Sequence, residues 1–198
     1  MSAHPSWDDA YAAGIQPWDI GRPQPAFARL AGRGLLSGHV LDAGCGTGEQ
    51  SLLAASHGAG VTGVDVAPRA IARARAKAAE RNLAARFEVA DMLGLGALQI
   101  AADTVIDCGL FHVFDDGDRA RYVASLASVL PPGGTCYLMC FSDRQPGDFG
   151  PRRVSRDELR AAFRGGWDVT GVEPASFELN PGLPAVTAQA WLATIRRT

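Results

Sequence analysis

Apolar residues in this chain fall in short runs separated by longer, more polar stretches. Residues 39–43, 60–65, 86–90, 104–108 and 135–141 are runs of four to seven residues rich in Val, Ile, Leu, Thr and Phe. Runs this short, bounded by turn residues, predict buried strands. The stretches between them predict helices over 50–57, 69–82 and 118–130. Pro68 suits a first helical turn and Asn82 a stop; Pro131-Pro132-Gly133-Gly134 ends the third helix. Ser155 with Glu158 three positions on forms a capping box, so a helix is expected to run on to Phe163. Strands are expected at 167–172 and 187–195. The turn Asn180-Pro181-Gly182-Leu183-Pro184 between them predicts an antiparallel hairpin. Alternating strands and helices argue for an α/β fold with a mostly parallel sheet covered on both faces. Residues 144–153, with Pro146, Gly147, Gly150 and Pro151, read as a mobile loop.

At 198 residues the chain is expected to form one domain, and 47% apolar residues is ordinary for a globular protein. A net charge of -2 gives no basic field, so nucleic acid is not an expected partner. The row Arg69, Arg73, Lys77 follows i, i+4 spacing and reads as a solvated helix face. No run of 18 apolar residues exists to span a membrane. The first residues, Met1 to Asp9, carry no signal pattern, so a cytoplasmic protein is expected. The four cysteines (Cys45, Cys108, Cys136, Cys140) form no C-x-x-C pair, and no His lies at zinc-ligand spacing. Cys136 and Cys140 share one strand face and read as small buried hydrophobes; no metal is expected.

The chemistry concentrates at Val40-Leu41-Asp42-Ala43-Gly44-Cys45-Gly46-Thr47-Gly48-Glu49. A strand runs into a three-glycine turn and then a helix start, which together make a nucleotide cradle: glycine permits close backbone approach, and the helix start offers free N–H groups. The next strand ends at Asp65, about 20 residues beyond the first glycine, where an acidic side chain can accept from both ribose hydroxyls. Val66 beside it can pack on adenine. Dinucleotide enzymes use G-x-G-x-x-G, whereas here the spacing is Gly44-x-Gly46-x-Gly48 after Asp42. A carboxylate there suits a cationic sulfonium better than a pyrophosphate. The pattern resembles motif I of class I S-adenosylmethionine (SAM) dependent methyltransferases. The resemblance implies a Rossmann-like, mostly parallel seven-stranded sheet with an antiparallel C-terminal strand. It also implies that Asp42, Gly44 and Gly46 face the methionine and ribose parts of SAM, that Asp91 accepts from the adenine amino group, and that Met92 contacts the ring. Cys108, ending the fourth strand, is expected near the methionine part.

Ahead of the core, Gln16-Pro17-Trp18-Asp19-Ile20-Gly21-Arg22-Pro23-Gln24-Pro25 resembles the N-terminal segment of the thiopurine/halide/thiol group of small-molecule methyltransferases. Residues 1–30 are therefore expected to fold back as a cover over a core at 38–198. The resemblance places Trp18 and Tyr11 in the SAM pocket, Tyr11 standing where those relatives often have Trp. Trp suits this place because its face attracts cations. Arg22 reads as a solvated or salt-bridged turn residue. Leu110-Phe111-His112-Val113-Phe114, past the fourth strand, suggests an apolar acceptor pocket. His112 there is a candidate general base, or else a hydrogen-bonded loop histidine. The expected activity is methyl transfer from SAM to a nitrogen, sulfur or oxygen of a small aromatic or lipophilic acceptor, with S-adenosylhomocysteine (SAH) as product. The alternative is a non-catalytic SAM-binding module or sensor. A monomer or weak homodimer is expected.

Overall fold

The computed structural model describes residues 7–14, 16–180 and 186–198. Seven strands make one sheet: β1 (His39–Ala43), β2 (Gly60–Asp65), β3 (Arg86–Val89), β4 (Thr104–Cys108), β5 (Thr135–Phe141), β6 (Trp167–Glu178) and β7 (Thr187–Arg197). Their order is β3-β2-β1-β4-β5-β7-β6. β7 pairs antiparallel with both β5 and β6, and the remaining pairings are parallel. The expected sheet and its closing hairpin are present. Positions 1–6 and 15 of the expected cover and 181–184 of the expected hairpin turn lie outside the described residues.

The helices are α1 (Trp7–Ala12), α2 (Pro25–Gly32), α3 (Glu49–Ser56), α4 (Pro68–Glu80), α5 (Asp116–Ala127) and α6 (Arg156–Ala162). Successive strand residues point to opposite faces, and here both faces are covered. Leu41 and Val105 pack with Tyr122 and Leu126 on one side. Their neighbours Val40 and Ile106 pack with Phe27 and Leu30 on the other. That double burial is why the central strands read as continuous apolar runs. Cys136 and Cys140 are free thiols buried in the first layer with Leu138.

Four boundaries differ from expectation. α2 was not expected; Pro25 opens it, and Phe27 is fully buried against the sheet, so residues 25–32 belong to the core and not to the cover. α5 begins earlier because Asp115 is its cap, accepting from the Asp118 amide at 2.8 Å. It also ends three residues short of 130. β6 continues to Glu178, past a bulge at Val169/Gly171 and past Pro174. Both irregularities are tolerable because β6 is an edge strand.

The basic row of α4 is largely exposed, as expected, but its charges have partners. Arg69 pairs with Asp8, and Arg73 donates to the Tyr11 carbonyl at 2.8 Å, so α1 lies across α4. Lys77 donates to Glu49 (2.8 Å) and to Thr47 (2.7 Å), while Thr47 donates to Asp19 (2.9 Å). Arg81 completes the set with two bonds to Glu49. Burial alone would raise the Glu49 pKa, but the bonds from Arg81 and Lys77 outweigh it and hold the carboxyl below its usual range. The row thus ties the N-terminal cover to the glycine turn. Among the described residues, no helix is long and apolar enough to cross a membrane.

Lys77→Met should lower the stability by ~1.5–3 kcal/mol, the worth of a hydrogen bond to a charged group. Urea unfolding measures this, and an unchanged midpoint would show that Arg81 alone satisfies Glu49.

Candidate active site

The strand order reverses between β1 and β4, and a crevice opens beyond the carboxyl ends there. A cavity of about 1070 Å³ occupies it, lined by residues from the cover, the glycine turn and the ends of β1, β2, β4 and β5. That volume sits at the upper end of the ~300–1,000 Å³ usual for small-molecule sites. Tyr11, Trp18, Asp42, Gly44, Gly46, Asp65, Val66, Asp91, Met92, Cys108 and His112 all line this cavity.

At the donor end the backbone does the shaping. Gly44, Gly46 and Gly48 have φ of +67°, +53° and +86°. A Cβ on Gly46 would stand 2.8 Å from the Tyr11 hydroxyl. The Gly46 amide donates to Asp65 Oδ2 at 2.8 Å, and the Ala67 amide to Asp65 Oδ1 at 2.9 Å. Asp65 therefore pins the end of β2 to the turn after β1 and still has lone pairs for a ligand. Burial raises its pKa, and these amide bonds oppose the rise. Asp91 caps the 3-10 turn after β3, accepting from Leu93 at 2.9 Å, and its side chain is exposed. Asp91 therefore both caps this turn and lines the cavity. Val66 is half exposed in the cavity wall. A glycine cradle that a Cβ would fill, with a carboxylate at its rim, fits an adenosyl ligand.

Asp42 lies behind the turn, 1% exposed, accepting from the Ser51 hydroxyl at 2.6 Å. Burial pushes its pKa up to about 7, against the lowering effect of Ser51. Above the turn, the Trp18 indole donates to the Tyr11 hydroxyl at 3.2 Å. Trp7, Tyr11 and Trp18 meet edge to face, with Trp18 centred 5.9 Å from Trp7 and 6.3 Å from Tyr11.

The other end of the cavity is apolar. Val113, Phe114, Phe141, Phe149, Phe177 and Leu179 form its walls. Cys108 accepts weakly from Gln50 (3.4 Å), and burial pushes its thiol well above the ordinary range, so it is wall material. Arg22 pairs with Glu178 at the rim. His112 requires a correction. Its Nδ1 accepts from the Phe141 amide at 2.9 Å, so the neutral ring carries its proton on Nε2. Burial first, then Arg119 and Arg153, push its pKa down to about 3. The ring can donate a hydrogen bond to a pocket atom but has no free lone pair, and the expected general base is not what this geometry provides.

Sequence reasoning missed Trp7, Phe141 and Phe177. Phe141 closes the fifth predicted strand, and strand ends at a switch point are site positions, so that signal was present. Phe177 was hidden because β6 was expected to stop at 172. Trp7 sits one helical turn before Tyr11 on α1, an element the sequence did not show.

Comparison with known proteins shows the family and the fold. The family profile described as "Methyltransferase domain" matches residues 40–134. A 2-heptyl-1-hydroxyquinolin-4(1H)-one methyltransferase from Mycobacteroides abscessus is 37% identical over 167 residues, covering 83% of this chain and 74% of the relative. A probable thiol methyltransferase from Arabidopsis thaliana is 29% identical over 154 residues, covering 77% and 68%. The solved structure described as "Conversion of a Disulfide Bond into a Thioacetal Group during Echinomycin Biosynthesis" superposes with a TM-score of 0.88 at 37% identity, covering 96% of this chain and 91% of that one. The glycopeptide N-methyltransferase MtfA, solved with SAM, shares the fold at TM-score 0.70 and 21% identity, covering 91% and 96%.

The buried Asp42 sets a pH dependence. Between its ordinary value of 3.8 and about 7 the unfolded chain has lost this proton and the folded chain keeps it. Its contribution to stability therefore falls as pH rises through that window and is constant above it. Asp42→Asn removes the loss. The melting temperature of the variant relative to wild type should rise between pH 4.5 and pH 8; a difference that does not change with pH would mean that Asp42 ionises normally.

Proposed function

This chain belongs to the SAM-dependent methyltransferases, and we propose that it methylates a heteroatom of a small, flat or lipophilic acceptor that needs no enzymic base. SAM supplies the electrophilic methyl group. In this reading Gly44 and Gly46 let the backbone close on the donor, and Asp65 accepts from its ribose hydroxyls. Val66 packs on the adenine, with Asp91 and Met92 at its edge. Asp42 balances the donor's positive charge. Trp18 and Tyr11 cover the donor and exclude water. Alignment and water exclusion together can contribute ~7–11 kcal/mol to such a displacement.

The observation that carries the acceptor reading is the state of the polar groups at the apolar end. His112 presents N–H. Asp42 holds Ser51. Asp107 is buried and accepts from Tyr122 at 2.9 Å and from the Leu110 amide at 2.8 Å. Burial pushes Asp107 up to about 6, but it does not line the cavity. With His112 and Asp107 offering the pocket no proton acceptor, the nucleophiles this reading favours are those that reach the pocket already unprotonated: thiolates, N-hydroxy groups, acidic phenols and heteroaromatic nitrogens. His112 Nε2–H then serves as a hydrogen-bond donor to the acceptor. The two relatives are consistent with this class, one named for a 1-hydroxyquinolinone and the other for a thiol.

Incubation with labelled SAM and thiophenol, 4-nitrophenol or 2-heptyl-1-hydroxyquinolin-4(1H)-one should show transfer to at least one. SAH binding with no transfer across that set would favour the SAM-binding module. At saturating SAM, kcat/KM should rise with pH at a midpoint that follows each acceptor's own pKa, and His112→Gln should keep that behaviour. One midpoint shared by all acceptors and lost in His112→Gln would restore a histidine base. Separately, Asp65→Ala should weaken SAH binding by ~1–3 kcal/mol through lost hydrogen bonds; calorimetry giving wild-type affinity would remove Asp65 from the site.

A further inference from the structure

The segment after β5, read from sequence as mobile, is a closed loop with an internal spool. Its neck is shut by a parallel bridge between Ser142 and Val154, with the Asp143 amide donating to the Val154 carbonyl and the Val154 amide to the Phe141 carbonyl, both at 3.0 Å. Such compact loops with adjacent ends are held by their own side chains. Here one side chain dominates. The Arg153 guanidinium donates to four carbonyls of its own loop: Gln145 at 3.3 Å, Gly147 at 3.0 Å, Phe149 at 2.8 Å and Pro151 at 2.6 Å. It also lies over the Phe141 ring, 5.5 Å from the centroid. A planar fork with three donor nitrogens can satisfy carbonyls converging from several directions; a single ammonium cannot.

The loop so wound is anchored on both flanks. Gln145 accepts from the Gln189 amide of β7 at 2.6 Å, and Arg152 pairs with Asp116 of α5 and Glu158 of α6, each at 2.6 Å. The arc between the anchors carries Phe149, Gly150 and Pro151 into the wall of the cavity. Gly150 has φ +88°, and a Cβ there would stand 3.0 Å from Phe141 Cε2, so the backbone lies directly on that ring. Phe149 remains 42% exposed in the wall of the cavity.

We propose that Arg153 is a positioning residue that sets which acceptors fit, by winding residues 145–151 so that Phe149 and Pro151 close the acceptor side of the cavity. The proposal rests on the small-acceptor reading above. Among the described residues the loop makes no hydrogen bond to the glycine turn, so in this reading the donor is held independently of it. Large flat acceptors need the wall, and small ones do not. Phe149 supplies the contact; Arg153 fixes where it stands.

The test compares wild type, Arg153→Lys and Phe149→Ala on two acceptors, thiophenol and 2-heptyl-1-hydroxyquinolin-4(1H)-one. For the quinolinone, both variants should raise KM roughly tenfold, a larger rise than for thiophenol, while the affinity for SAH stays at the wild-type value. Hydrogen exchange of the 145–151 peptide should speed up in Arg153→Lys, and the quinolinone should slow it in SAH-bound wild type. Unchanged KM for the quinolinone in both variants would overturn the proposal, as would parallel losses of both acceptors and SAH. If wild type binds SAH but methylates neither acceptor, the small-acceptor reading fails; exchange then decides Arg153 alone, faster exchange in the lysine variant supporting the spool and equal exchange overturning it.

Discussion

The amide of Gly46 meets the carboxylate of Asp65 beside the point where the strand order reverses, at 2.8 Å. This contact needs a chain with no side chain at Gly46, since a methyl there would meet the Tyr11 hydroxyl. It also needs β1 and β2 to be adjacent and parallel, ending level with one another. Given those conditions, the turn after β1 and the end of β2 form one rigid rim. The cover segment closes over that rim, and the helix behind it starts at Glu49, where the Lys77 and Arg81 pairs gather. The donor end of the cavity is thus built from backbone, held by carboxylates, and roofed by aromatic rings.

The two ends of the cavity use opposite physics. Around the donor, charged groups are abundant and each is held by a defined partner. Around the acceptor the walls are rings and aliphatic side chains, and the one imidazole is kept neutral by burial and by neighbouring guanidinium groups. In the proposed reading, a cationic donor beside an apolar wall favours a nucleophile that arrives unprotonated, because His112 has no lone pair free to take its proton. In the same reading, water exclusion by Trp18 and Tyr11 strengthens the attraction between donor and acceptor.

Local signals carried much of this. The strands were legible because both faces of a central strand are buried, leaving continuous apolar runs with glycine or acidic ends. The glycine turn and Asp65 were legible because the spacing of a backbone cradle is fixed by geometry. What escaped depends on distant partners. The α4 row looks solvated by periodicity, yet Arg69 and Arg73 are engaged by α1, some 60 residues earlier in the chain. The place of His112 was clear from its position after the fourth strand; its proton state was not, since that is set by the amide of Phe141. Residues 144–153 look mobile by composition, and only the convergence of four carbonyls on Arg153 shows otherwise. Edge strand β6 was expected to stop at 172, yet it runs on past Pro174, a residue that interior strands exclude and edges tolerate.

The rim formed by Gly46 and Asp65 is the point on which the rest turns, and calorimetric titration of the folded protein and its Gly46→Ala variant with SAH addresses it most directly. Saturable one-to-one binding to wild type, with binding lost in a variant that still unfolds cooperatively, is the result this account predicts. Equal binding by both proteins, or none by a demonstrably folded wild type, would contradict it.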